Sequence, residues 1–189
     1  HVIVRQHDQE VMRYRYGLDL IKPYVDYLAT PSGINILRDS PFDHKHHHGL
    51  MFAVAVDGTN FWEEREPFGR EVGKGTPTVI GGNDKPRKNK KRASQALGGF
   101  KQDIEWIGPM DTKPLLLENR MVMVERVRDN KATLLTWQTE LRLPPGKKSG
   151  TLSGNPYFGL GMRFVESMDK DGSFINAEGK TGFKDTNKE

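Results

Sequence analysis

Hydrophobic and polar residues alternate along most of this chain, and a two-residue period predicts β-strands. In "VMRYRYGL", from Val11, Met12, Tyr14 and Tyr16 are set against Arg13 and Arg15. "KPYVDYLATPSGINILRD" predicts two short strands around a Pro-Ser-Gly turn at 31–33. "GLMFAVAVDGTNFW" predicts a strand over 50–56, a turn at Asp57-Gly58 and the start of a second strand. "FKQDIEWIG" alternates over 100–108. The clearest pattern is "LLLENRMVMVERVRDNKATLLTWQTELRLP". It predicts two long strands flanking a turn at Asp129-Asn130-Lys131, with Met121, Met123 and Glu125 facing away from Val122, Val124 and Arg126. "YFGLGMRFVE" at 157–166 adds another strand. No amphipathic helix of useful length and no internal repeat is visible, and Pro and Gly punctuate the chain at short intervals. Together these elements predict a single all-β domain over 1–189, a large antiparallel β-sandwich of two packed sheets. A site is expected on its concave face. Trp62, Trp106 and Trp137 lie in or beside strands, either as core or as sugar-stacking platforms.

Composition narrows the function classes. A chain of 189 residues can bury a core without staples. It has no cysteine, which excludes disulfides and thiolate chemistry. No run approaches about 20 apolar residues, so no membrane-spanning helix is expected. The net charge of +4 is concentrated in one place: six of the eight residues in "KPRKNKKR" at 85–92 are Lys or Arg. Elsewhere 23 basic residues face 25 acidic ones. The surrounding stretch, about 83–96, reads as a solvated insertion loop or as a contact for an acidic glycan. Nucleic acid is the weaker partner, because no aromatic residue lies between Phe68 and Phe100 to stack on bases. The stretch from about 168 to 189 is polar and offers no closing strand, which predicts a mobile tail or a C-terminally incomplete sandwich.

Four of the six histidines fall in "DHKHHHGL", at 44, 46, 47 and 48. On an extended strand, residues i and i+2 share a face, which would put His44 and His46 together, with His48 if the strand stays regular. His44 and His46, with His48 or, if a bulge or turn intervenes, His47, are therefore candidate ligands for a divalent transition metal, whether copper, iron, zinc or manganese. Asp43, Glu63, Glu64, Glu105 or Glu118 would complete the set. The same cluster reads equally as sugar hydrogen-bonders, as acid–base groups or as solvated surface. The cupin spacing, in which a glutamate follows H-x-H after three or four residues, is not met: the nearest downstream glutamate is Glu63. Glu118 and Arg120 share a strand face, as a candidate base with its orienting arginine or as an ion pair on the solvent face.

"DHKHHHGLMFAVAVDGTNFW" resembles the D-H-x-H-H-x-G-L stretch and following G-x-x-F-W of the PmoA-like domain family. "PLLLENRMVMV", "YFGLGMRF" and "PYVDYLATPSGINILRD" are similar to further segments of that family, in the same order. The resemblance implies a sandwich similar to galactose mutarotase, a carbohydrate ligand and a periplasmic or extracellular setting. It marks His44, His46, His47, Trp62, Glu118, Arg120 and Arg163 as the residues to follow, the first two with Glu118 and Arg120 as catalytic candidates and His47, Trp62 and Arg163 as substrate contacts. Two departures stand out. His48 takes the place of a usual Arg, which weakens the positive charge there, and a further group of strands expected after "GKTGFKD" is missing. Three function classes stay open: a hydrolase, lyase or epimerase acting on sugars, a copper or iron oxygenase, and a non-catalytic carbohydrate-binding sandwich. The oxygenase reading includes copper chelation by the amine and imidazole of His1, if that residue is a mature terminus.

Overall fold

The computed structural model describes residues 1–81, 94–127, 131–173 and 175–181. Among these residues the strands run β1 (Val2–Gln6), β2 (Gln9–Arg15), β3 (Tyr24–Leu28), β4 (Leu50–Ala53), β5 (Ala55–Val56), β6 (Thr59–Asn60), β7 (Arg70–Gly73), β8 (Thr78–Gly81), β9 (Ser94–Ile107), β10 (Leu116–Val127), β11 (Ala132–Arg142), β12 (Leu152–Ser153) and β13 (Gly159–Met162). One five-residue helix, α1, spans Ser167–Asp171. All strand pairing between these elements is antiparallel. The first sheet has the order β1-β2-β3-β4-β13 and the second β11-β10-β9-β7, with β8 also on β9. A small third sheet is β12-β5-β6.

The fold is an all-β sandwich. Val2, Val4, Val11, Met12, Val25 and Leu50 of the first sheet pack against Phe100, Val122 and Val124 of the second. Tyr14 bridges the layers, its ring 4.0 Å from that of Phe100. Burying each such side chain contributes about 1.5–3 kcal/mol. A second core, built on Met51, Phe61, Ile104 and Trp106, fills the space below β4 and the small sheet. On β10 the expected alternation holds: Val122, Val124 and Arg126 are buried, while Met121, Met123 and Glu125 are only partly covered.

The turn at Asp57-Gly58 also forms as expected. Both residues have positive φ, 50° and 83°, the conformation of the two-residue hairpin turns that match strand twist. Other elements differ from expectation. The second strand of the 22–39 segment reduces to isolated bridges, Ala29 with Asn35 and Leu37 with Phe164. The strand expected over 157–166 forms a ladder only at Gly159–Met162, with the isolated bridge at Phe164 beyond it. Residues 94–96, taken as the end of the basic loop, instead begin β9. The basic run at 85–92 and the turn residues 129 and 130 lie outside the described residues, as do 174 and 182–189 of the polar tail. Within that tail Ile175 bridges Thr181.

Candidate functional site

The four clustered histidines are not on a strand. Pro41 starts a turn in which the His44 amide donates to the Pro41 carbonyl at 2.9 Å and the His47 amide to the His44 carbonyl at 2.9 Å. The Ser40 amide closes the loop on the His47 carbonyl at 3.0 Å. Turning replaces the alternation of a strand, so the His44, His46 and His47 rings come together, while both His48 nitrogens face carboxylates. The His44 and His47 rings stack with centroids 4.8 Å apart, and the His46 ring meets that of His47 edge-on at 4.4 Å.

This turn forms one wall of a cavity of about 690 Å³. The loop after β6 contributes Trp62 and Glu63, the segment before β13 contributes Asn155, Tyr157 and Phe158, and Arg163 follows β13. Met51 of β4 also lines it. The site thus sits where loops meet the β4–β13 pair rather than on a concave sheet face. Trp62 is only 5% exposed, and Phe158 stacks on it at 5.5 Å. Its other neighbour is Gly161, where a Cβ would lie 2.5 Å from the indole. Trp62 is therefore a packed wall rather than an open sugar platform. The exposed aromatic ring at this cavity is Tyr157.

His48, which also lines the cavity, is held by two carboxylates. Its Nδ1 lies 2.7 Å from Asp39 Oδ1 and its Nε2 2.8 Å from Glu64 Oε1. The ring stacks on Tyr24 at 4.3 Å, and the Tyr24 hydroxyl donates to Asp39 at 2.9 Å. Lys22, 1% exposed, donates to Glu64 at 2.8 Å and to the Trp62 carbonyl at 2.9 Å. Burial opposes charging His48, but its bonds to Asp39 and Glu64 prevail and raise its pKa above the ordinary imidazole value. Burial likewise works against ionised Glu64, yet His48 and Lys22 hold it down to about 2. Asp39–His48–Glu64–Lys22 is thus a chain of paired charges tying the 40–48 turn to the 61–64 loop.

Two expectations are corrected here. His48 is not an available metal ligand, because both its nitrogens are engaged by carboxylates. Nor is the charge at position 48 simply weakened, because those carboxylates raise the pKa of the ring. Among the described residues, no group of three or more His, Cys, Asp or Glu side chains is arranged to hold a metal ion, so the set His44, His46 and His48 is not assembled.

The remaining imidazoles differ in character. Burial pushes His47 down to about 4, and the neighbouring His46, His44, Arg163 and Lys22 add to the effect. His46 is lowered too, first by burial and then by Lys22 and His44. Both are uncharged at neutral pH and able to donate and accept hydrogen bonds. The Asp43 carboxylate lies 3.0 Å from His44 Nδ1, and this contact lowers its pKa. The pair is half-exposed, and Asp43 orients a ring whose other nitrogen is free to move a proton.

Glu118 and Arg120 share a face, as expected, but that face is neither solvent nor site. Both side chains are fully buried, and neither lines the cavity. Glu118 Oε1 accepts from Arg120 Nε at 2.7 Å and from Thr139 at 2.9 Å, while Oε2 accepts from Arg120 Nη2 at 2.8 Å and from Trp106 Nε1 at 2.9 Å. Arg120 also donates to Glu71 at 2.9 Å and to the Pro23 carbonyl at 3.0 Å, and reaches the Tyr14 hydroxyl at 3.5 Å. Its guanidinium lies over the Trp137 ring at 4.7 Å. A carboxylate with four donors and a guanidinium with every N–H placed have no capacity left for a substrate. Catalytic roles for both residues are therefore replaced by a structural one. Trp106 is part of the second core and Trp137 packs against the first. Glu105 pairs with Lys74 at 3.0 Å and does not line the cavity.

Several site residues escaped the sequence reading. Asp39 and Lys22 carried no local signal, being brought to the histidines only by tertiary folding. Asn155, Tyr157 and Phe158 had one: an Asn-Pro turn followed by two aromatics in "GNPYFG".

Fold and cavity together define an all-β sandwich with a histidine-lined loop site at one sheet edge. The chain belongs to DUF6807, a family of unknown function, whose model matches residues 1–189. No curated protein and no solved structure matches it. Among the described residues no helix is long and apolar enough to cross a membrane.

Proposed function

We propose that this is a carbohydrate-active protein in which His44, oriented by Asp43, is the acid–base group. The observation that carries this reading is the Asp43–His44 pair at the wall of a cavity that also presents uncharged imidazoles and aromatic rings. Sugars present hydroxyls to be bonded in both directions and C–H faces to be covered. His46, His47 and Asn155 suit the hydroxyls, and Tyr157 suits the C–H face. The resemblance to the PmoA-like family and its mutarotase-like scaffold supports the same substrate class. A general base near a sugar carbon or hydroxyl serves hydrolysis, elimination or epimerisation alike. The test is to follow a panel of mono- and oligosaccharides by proton NMR with the wild type, His44→Ala and Asp43→Asn. Product formed by the wild type and lost with His44→Ala supports the proposal. Binding without any product supports the non-catalytic sandwich. Absence of both sinks the carbohydrate reading.

The oxygenase alternative gains no support from the geometry, since among the described residues no three metal-ligating side chains are arranged to hold an ion. A carbohydrate contact at the basic 85–92 run lies outside the described residues and stays a proposal.

A further inference from the structure

The half-buried and buried arginines among the described residues have partners, with one exception. Arg13 bonds Asp26, Arg15 bonds Tyr24, Arg38 bonds Asp169, Arg126 bonds Gln6, and Arg120 is saturated. Arg163 has no side-chain hydrogen bond or ion pair, and its Nε is buried. Its backbone is fixed: the amide donates to the Gly49 carbonyl at 2.6 Å, and the carbonyl accepts from Arg38 at 2.9 Å. Arg163 follows β13 and lines the cavity together with Trp62 and the turn histidines. Asp43 feels its charge but makes no ion pair with it, since that carboxylate is bonded to His44. A partly desolvated cation with no direct partner is costly, and a ligand anion would offset that cost.

We infer that the cavity takes a carboxylate-bearing sugar, a hexuronate or its glycoside, and that Arg163 reads the carboxylate. This rests on the carbohydrate reading above. A planar guanidinium matches a carboxylate through two parallel N–H donors. The nearby carboxylates do not occupy it, because Asp43 is bonded to His44 and Glu63 to Asn60. The charge count favours one negative charge rather than two. Lys22 is committed to Glu64 and Trp62, and His46 and His47 are held neutral, so Arg163 is the one uncommitted cation among the described lining residues. A phosphate would bring a charge of about −1.5 to −2. With the carboxylate on Arg163, Met51, Trp62 and Phe158 offer an apolar surface to the ring, and Asn155 and His47 are left for its hydroxyls.

The test is calorimetric binding of glucuronate, galacturonate, glucose, galactose and inorganic phosphate at fixed ionic strength, to the wild type, Arg163→Gln and Arg163→Lys. The uronates are expected to bind about ten-fold or more tightly than the neutral sugars. Arg163→Gln should lose that ratio while keeping neutral-sugar binding, and Arg163→Lys should keep part of it. Equal binding of uronates and neutral sugars, or a ratio that survives Arg163→Gln, overturns the inference and leaves the carbohydrate reading standing. Phosphate binding as tight as the uronates overturns the hexuronate assignment. No binding of either sugar class overturns both. Should Arg163→Gln fail to fold, the lysine variant decides by the same ratio.

Discussion

Arg120 and Arg163 are the same side chain in opposite circumstances. Arg120 sits between the sheets, fully buried, with Glu118, Glu71, Tyr14 and the Pro23 carbonyl around it. Arg163 stands at the cavity wall with no side-chain partner among the described residues. A polar group with every lone pair and proton assigned, as in Arg120 and Glu118, fixes one packing and offers nothing to a ligand, although Glu71 Oε1 nearby has no partner. An unsaturated one beside open space is a place where a ligand can complete the bonding. Charge and burial alone would rank Arg120 as the more notable residue, whereas the pairing of donors with acceptors ranks Arg163 as the functional one.

The largest expected effect breaks the saturated side. Arg120→Met should lower stability by about 3–5 kcal/mol in urea unfolding, because Glu118 and Glu71 are left buried without their cation. A loss below about 1 kcal/mol would show that the network is not what holds the layers. On the open side, His44→Ala should cut turnover by about 100-fold or more, with the unfolding midpoint unmoved. A fall in both together would make His44 structural. His48→Gln belongs between the two. It keeps the shape but loses the charge facing Asp39 and Glu64, and should cost about 1.5–3 kcal/mol while loosening ligand binding.

Glu71 sharpens the comparison through pH. Burial pushes its carboxyl up to about 8; Arg120 opposes this and Glu118 reinforces it. The folded chain therefore keeps a proton that the unfolded chain releases. That contribution is complete below the ordinary carboxylate value and is lost as the pH rises through about 8. Glu71→Gln, which mimics the protonated group, should flatten the fall in urea-unfolding stability between pH 5 and 9; an unchanged slope would mean that Glu71 is ionised throughout. His48, also raised, contributes a decline in the same direction above the ordinary imidazole value, so His48→Gln should flatten further the fall that remains in Glu71→Gln, while the lowered His46 and His47 add a rise below that value. The smallest effect is on Arg163→Gln, whose stability should change by less than about 0.5 kcal/mol.

Much of the architecture was legible because it is periodic. The 116–142 hairpin and the strands around Val11 and Phe100 alternate over many residues, and their faces were correctly separated. Strands β1, β7 and β8 are only four or five residues long and were missed. The histidine cluster was legible as chemistry and only in part as shape. Extended geometry groups His44, His46 and His48, and a turn was the alternative that brings in His47; the turn begun at Pro41 groups His44, His46 and His47, while the commitment of His48 to Asp39 and Glu64 had no local signal. Glu118 and Arg120 were misplaced for a different reason. On β10 they share a face with Val122 and Val124, and alternation shows which residues lie together but not whether a charged pair among apolar neighbours points inward. Such a pair is burial-competent only with partners from elsewhere, here Glu71, Tyr14 and Trp106, which no local pattern reveals.

The central claim is that the turn histidines and Arg163 form the binding site and that the paired charges behind them are scaffold. Histidine-selective NMR across a pH titration, with and without glucuronate, tests it most directly. His47 should titrate near pH 4 and His48 should stay protonated above the ordinary imidazole value. Added glucuronate should move the signals of His44, His46 and His47 more than that of His48, whose nitrogens are held by Asp39 and Glu64. A His48 that titrates as a free imidazole, or a ligand response confined to residues outside the cavity, would contradict the account.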